Sequence, residues 1–368
     1  MSMSEDSTIG PRNDAVIDGK VWVKGTTKEM LDTFPKLIPK KEDIFVCTFP
    51  RSGTTWTQEI VWQIINDGKI DYRPLHVRMP WVDGMPYAQP ENPYLVTSAG
   101  MIEKIFECFP SPRVFKSHLP YDLVPKGCGQ AAKPLARYIY VMRNPKDVAV
   151  SLFEFVAKVS GREALSWDEL FELFYQGKVY YGPWFDHVLS WWKHKDDPDV
   201  LILKYEDMKE VSVKRGGRKK KKKKKKNETG SISLVCYLLY IFCYAKGHHL
   251  AIINIHHDHF VGTCTLYGAL SFSLTGFIGL LGAIRKIATF IGKELPLETL
   301  ERIVSQTSFN AMQKEGNSNF SFIRGFKGLC IRKGEVGNWK DYFTEDQSKR
   351  FDSLIKEKLA GSGLEDEF

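Results

Sequence analysis

The chain has 368 residues, 43% of them hydrophobic and 13% aromatic, with 29 glycines and 18 prolines, a composition that excludes collagen-like, disulfide-stapled and wholly disordered chains. Its formal charge of +8 would point to a polyanionic partner, but residues 211–283 alone hold twelve basic and two acidic side chains. The other 295 residues carry 40 basic and 42 acidic groups, so the globular part is near neutral and no nucleic-acid partner is expected of it.

Residues 1–35 read as a polar N-terminal arm that leads into a proline-punctuated approach, LDTFPKLIPKKED. Ile44–Thr48 is a short apolar run ended by Pro50, and Thr55 to Asn66 places apolar side chains at helical spacing before Asp67-Gly68, so the spacing predicts strand, tight loop, helix. Two further buried strands are predicted at Arg113–Ser117 and Arg137–Met142, the second feeding the helix KDVAVSLFEFVAK. Trp167–Gln176 and Trp184–Lys195 read as aromatic-rich amphipathic helices, Val200–Lys204 as another strand, and Ile284–Ile291, Leu297–Ser305 and Thr344–Leu359 as helices. Strands alternating with helices predict an α/β fold: one domain, residues 36–210 and 284–360, with a central, largely parallel sheet flanked by helices, then a tail at 361–368.

The block at 211–283 breaks this pattern. It runs from VSVKRGGRKKKKKKKKNETG, read as a disordered polybasic tract, into the apolar SISLVCYLLYIFCYA, a histidine-rich stretch, and the uncharged FVGTCTLYGALSFSLTGFIGLLGA. A transmembrane anchor fits the last run by length, and an inserted subdomain has little amphipathic period to build a core. The third reading is translated non-coding sequence: a lysine run suits a poly-A tract, and Val211-Ser212 is encodable as an intron start. The histidines 248, 249, 256, 257 and 259 match no standard metal spacing, and no metal site is predicted. Seven cysteines, an odd number without a C-x-x-C pair, and the polar start MSMSEDSTIGPRND predict a cytoplasmic location.

The chemistry-bearing residues fall into four clusters. In TFPRSGTTW the loop between strand and helix aims backbone N–H groups and hydroxyls at one point, where the helix dipole favours an anion. The Walker spacing is absent, because Arg51 precedes the glycine, and an ordinary helix cap by Ser52 or Thr54 is the alternative for the motif alone. FKSHLP places Lys116 and His118 two apart at a strand end closed by Pro120, a cation beside a candidate base. Arg143, just after a strand, and Ser151, two turns into the next helix, suit a phosphate edge. Arg332-Lys333-Gly334 suits a second one, with a solvated basic loop as the alternative.

Together TFPRSGTTW, FKSHLP, RNPKDVAVS, WFDHVLSWW, LKYEDMKE, IRKIATFIGKELP, QTSFNAM and RKGEVGNW resemble, in family order, the cytosolic sulfotransferases, the phenol- and amine-type enzymes that use 3′-phosphoadenosine 5′-phosphosulfate (PAPS). The resemblance covers about residues 35–210 and 284–355, and without 211–283 the chain has a length typical of that family. It implies a P-loop-like phosphosulfate site made by Arg51, Ser52, Gly53, Thr54 and Thr55, with Trp56 stacking on adenine. It further implies Arg143, Ser151, Arg332, Lys333 and Gly334 at the 3′-phosphate, and Tyr205, Thr307, Phe309 and Met312 on the adenine side. His118 is implied as the base, with Lys116 and Arg51 stabilising charge on the departing 3′,5′-adenosine diphosphate; no metal is required.

The resemblance thus implies transfer of a sulfuryl group to the hydroxyl or amine of a small aromatic or apolar acceptor. The aromatic and apolar side chains of Trp81, Met85, Tyr87, Phe153 and Phe155 are candidate pocket walls, with core packing as the equal alternative. The chain departs from the family pattern in three places. Arg51 stands where most members have lysine, a rigid fork for a mobile point charge. The dimer motif K-x-x-x-T-V-x-x-x-E keeps Lys340 and Thr344 but has Glu345 and Lys349 at its last two fixed positions, so it does not argue for a homodimer. The loop from Met312 to Arg332 is shorter than usual. The competing readings are a membrane-tethered form of the same enzyme, an inactive nucleotide binder disabled by the insertion, and a nucleotide kinase, which the missing Walker lysine disfavours.

Overall fold

Every residue of strand β3, Ile44–Thr48, is buried, and β5, Arg137–Met142, is buried beyond its first residue. Runs without polar alternation fold this way because both faces of a parallel sheet are covered. The computed structural model describes residues 15–23, 25–83, 99–127, 136–159, 165–209, 279–314, 331 and 333–368. With β4, Val114–Ser117, and β6, Val200–Lys204, the strands form a sheet ordered β4-β3-β5-β6, parallel throughout. The α/β architecture expected from the sequence is the one observed.

Alternation along the strands divides the core in two. Phe45, Cys47, Tyr138 and Tyr140 face the layer built by helices Pro145–Val159, Trp167–Tyr175, Trp184–Trp192 and Glu345–Leu359. Ile44, Val46, Ile139 and Val141 face Thr54–Ile65, a helix at 279–290, and Leu297–Gln306. A buried ion pair between Arg113 and Asp43 ties the leading ends of β4 and β3, and Arg78 meets Glu59 at 2.9 Å within the second layer.

Three boundaries differ from expectation. Residues 15–35 are not a free arm: β1, Ala15–Ile17, and β2, Lys20–Trp22, form an antiparallel hairpin, and Trp22, Met30, Leu31 and Phe34 are buried in the first core layer. The stretch 361–368 is not a loose tail, because Leu364 is fully buried, Phe368 packs edge-on to Trp184, and Trp192 Nε1 donates to Ser362 O at 2.9 Å. The helix expected from Ile284 is already helical at 279, with Leu280 and Ala283 buried, so residues 279–283 belong to the core and not to the anomalous block.

Contacts divide the chain into Met1–Val211 with Gly276–Phe368, and Ser212–Thr275; every described residue lies in the first unit. The polybasic and apolar runs up to 278, the five clustered histidines, Met85, Tyr87, Arg332 and the 315–330 loop lie outside the described residues. Among the described residues no helix is long and apolar enough to cross a membrane.

Candidate active site

Each parallel strand delivers one part of the site from its C-terminal end, where open α/β sheets bind ligands. The loop Phe49–Gly53 follows β3, His118 follows β4, Arg143 follows β5, and Tyr205 follows β6. β3 lies between β4 and β5, so successive crossovers diverge on either side of it and leave a crevice above its end.

Helix Thr54–Ile65 opens at Gly53, whose φ of +102° lies in the left-handed region and whose place as N-cap brings no side-chain hydrogen bond. An ordinary cap by Ser52 or Thr54 is therefore excluded: the first-turn N–H groups lack a side-chain acceptor, and the helix dipole adds positive potential there. Thr54 Oγ1 is 2.6 Å from Thr48 Oγ1, which locks the loop to β3, while Ser52 is fully buried and its Oγ has no partner. An orphaned buried hydroxyl costs free energy, and an anion held over the loop would satisfy it. A Cβ at Gly53 would stand 2.8 Å from Tyr205 Cδ2, so only glycine allows the loop to close over that ring.

His118 is 5% exposed. Its Nδ1 is 2.8 Å from Thr48 O, and because a carbonyl only accepts, Nδ1 carries the proton and Nε2 keeps the lone pair. Burial, then the neighbouring charge of Lys116, pushes the imidazole well below its ordinary range, which keeps it neutral and basic in form. Lys116 Nζ lies 3.6 Å above the Trp81 ring, and Trp81 stands edge-on to His118 at 5.2 Å. The two residues predicted to share one side of the strand end thus flank one indole.

The predicted phosphate binders converge. Arg51, at φ +71°, donates from Nε to Ser151 Oγ at 3.2 Å and lies over Phe155 at 4.7 Å. Arg143 donates to Arg51 O and to Glu335 O, each at 3.1 Å, stacks over Tyr205 at 4.4 Å, and leaves its buried Nε without a partner. Trp56 Nε1 donates to Thr307 O at 2.7 Å and meets Tyr205 edge-on, while Met312 is buried. Gly334, at φ +65°, lies beside Phe309 so closely that a Cβ would overlap its ring.

Other predicted groups are engaged elsewhere. Thr307 Oγ1 bonds Ile303 O, Lys333 Nζ bonds Asn338 Oδ1 at 2.8 Å, and Thr55 is half-buried in the helix's first turn. Phe153 packs on Trp167 and Tyr342 and belongs to the core rather than to a pocket wall.

Four residues were not singled out by the sequence. Both carboxylate oxygens of Asp83 accept from His118 N, at 3.0 and 3.1 Å, and one also accepts from Trp81 Nε1 at 3.0 Å. Asp147 accepts from Gly337 N at 2.7 Å and Trp339 N at 3.0 Å, anchoring the late loop to the helix after β5. His187 bonds His118 O through Nε2 at 2.9 Å. Lys209 reaches the aromatic groove beside Trp56 and Phe309. Asp147 and His187 lie within motifs already noted, but nothing local reveals the strand ends they serve.

Glycine-controlled loops, unpartnered donors and clustered cations at the ends of a parallel sheet define an α/β enzyme built to hold a phosphorylated ligand beside a neutral histidine. The chain belongs to the sulfotransferase family, the sulfotransferase-domain model matching residues 41–215 and 280–363. It is 31% identical to sulfotransferase 1B1 of Mus musculus over 333 residues, 88% of this chain and 84% of the relative. It is 31% identical to the amine sulfotransferase of Oryctolagus cuniculus over 339 residues, 90% and 84% of the two chains. Among solved structures, mouse sulfotransferase SULT7A1 complexed with PAP is similar at a TM-score of 0.61, with 25% identity and 96% of each chain covered. The protein is a sulfotransferase.

Proposed function

We propose that this sulfotransferase takes its sulfuryl group from PAPS and passes it to the hydroxyl or amine of a small acceptor, with His118 as the base. The observation that carries this reading is the convergence of four strand ends on one crevice, where Ser52 Oγ and Arg143 Nε are buried without partners and where Gly53 and Gly334 let the two loops close on the rings of Tyr205 and Phe309. These features fit a nucleotide with phosphates at both ends. The SULT7A1 structure, solved with PAP, supports the same donor.

The donor supplies an activated sulfuryl group on a phosphate leaving group. His118 Nε2 accepts the acceptor's proton as the acceptor oxygen or nitrogen bonds to sulfur and the sulfur–oxygen bond to the 5′-phosphate breaks. Arg51, Lys116 and the N–H groups of the 51–55 loop stabilise the charge released on that phosphate. Trp56, Tyr205, Thr307, Phe309 and Met312 hold the adenine, and Arg143, Ser151, Arg332, Lys333 and Gly334 the 3′-phosphate. Trp81 and Phe155, beside His118 and Arg51, make one apolar approach for an acceptor. We place the enzyme in the cytoplasm and read the stretch between the matched segments as foreign to the catalytic domain; the altered motif at Lys340, Thr344, Glu345 and Lys349 gives no support to a homodimer.

The test is a transfer assay with PAPS and a panel of phenols, steroids and amines, run on the full chain and on a variant lacking residues 216–278. Transfer by the shortened chain is expected, and His118→Ala should abolish it while PAP still binds. Turnover retained in His118→Ala would refute the base assignment. Activity in the full chain as well would show that the inserted stretch is compatible with catalysis.

A further inference from the structure

We propose that Lys209 is a further ligand of the donor nucleotide, its ammonium pairing with the 3′-phosphate; this rests on the donor reading above. Lys209 ends the short helix Tyr205–Lys209 that follows β6, one turn after the tyrosine that floors the crevice. Its ammonium faces ring systems: Trp56 at 4.6 Å, Phe309 at 5.2 Å and Tyr205 at 6.0 Å from the centroids. A Cβ at Gly334 would stand 3.1 Å from its Nζ, so the ammonium borders the backbone of the late phosphate loop.

The charges around Lys209 point to an anion. Burial, with Arg143 as the charged neighbour that acts on it, pushes the ammonium down to about 8. Among the described residues no carboxylate lies within ion-pair distance of Lys209 or of Arg143, whose two hydrogen bonds go to carbonyls. Glu206 feels Arg143, but burial holds its carboxyl above the usual range and Oε1 is taken by Asn144 N.

Two cations drawn together and stripped of water repel each other. The aromatic faces compensate part of that cost, and a dianionic phosphate bordered by Gly334 would compensate the rest. A lysine that merely covered apolar surface would lay its stem on the rings and send its head to water; here the head itself is on the rings.

The experiment is calorimetric titration of the full chain with PAP and with 5′-AMP, which lacks the 3′-phosphate, for wild type, Lys209→Met and Lys209→Arg. Lys209→Met should weaken PAP roughly 10- to 100-fold, the effect of losing one charge-assisted contact, and leave 5′-AMP unchanged. Lys209→Arg should keep most of the PAP affinity. Unchanged PAP affinity in Lys209→Met, or an equal loss for both nucleotides, overturns the proposal, the second outcome assigning Lys209 to the base or to folding. Wild type that binds neither nucleotide, or both equally, overturns the donor reading and this one with it.

Discussion

His187 makes the native state sensitive to acid. It is 1% exposed and bridges two elements, with Nε2 2.9 Å from His118 O and Nδ1 3.0 Å from Tyr140 Oη. The carbonyl requires the proton on Nε2, so the tyrosine hydroxyl donates to Nδ1 and the neutral ring is satisfied at both nitrogens. A second proton would force the tyrosine oxygen to accept and displace its own O–H from the ring, and burial of the charge pushes the group down to about 4. An unfolded histidine titrates near 6.5, so between these values the unfolded state binds a proton that the native state refuses. Stability from this residue is complete above pH ~6.5, falls as pH drops, and stops falling below about 4. At ~1.4 kcal/mol per unit the full loss is about 3 kcal/mol, and about 2 kcal/mol is gone near pH 5, against a total of roughly 5–15 kcal/mol for a typical domain. His187→Gln removes the titration. Urea unfolding at pH 7.5 and pH 5 should show the variant weaker at the higher pH but losing about 2 kcal/mol less than wild type on acidification. Equal losses in the two proteins would refute the assignment.

Gly53→Ala would place a methyl 2.8 Å from Tyr205 Cδ2 at a φ of +102°. The backbone term costs about 1–2 kcal/mol and the overpacking about 1–3 kcal/mol, so a lower melting temperature and weaker PAP binding are expected; a variant unchanged in both would contradict the close approach. Asp43→Ala strands the buried guanidinium of Arg113 and frees Lys40 N, which now donates to Asp43 Oδ2 at 2.7 Å. Loss of one partner of a buried pair costs about 3–5 kcal/mol, measurable by chemical denaturation, and a shift near zero would show that the pair is not the tie described.

The strands were legible because a doubly covered strand has no polar alternation: β3, β5 and β6 have the bounds expected from their apolar runs and the residues that flank them. The hairpin at Ala15–Trp22 escaped that rule, since three-residue strands carry almost no period; its one local signal was Asp18-Gly19, a favoured turn pair, and both residues have positive φ. The docking of Leu364 was invisible for a related reason, as a single apolar residue after two glycines has no pattern to read. Within the site, Arg51, His118, Arg143 and Gly334 stood in motifs, whereas Asp83 and His187 act through hydrogen bonds to a residue 35 and 69 positions away. Such couplings are set by which strand ends meet, and that is a property of sheet order.

The described hydrogen bonds of the site also explain how a near-neutral domain binds a polyanion. Two of its cations are fixed by neutral acceptors: Arg143 by two backbone carbonyls and Lys333 by the Asn338 amide. Oxygens of that kind orient a cation without cancelling its charge, whereas a carboxylate at the same distance would form an ion pair and quench the field. Asp147 shows the complementary arrangement, spending its negative charge on the N–H groups of Gly337 and Trp339 and thereby holding the late loop against the crevice. Lys146, its neighbour in sequence, is turned away and paired with Asp352 at 2.6 Å. Anion affinity here follows from which cations are held by uncharged partners at the strand ends, so Asn338→Ala, which removes the amide that orients Lys333, should weaken PAP binding in a calorimetric titration although no charge is removed; unchanged affinity would count against the reasoning.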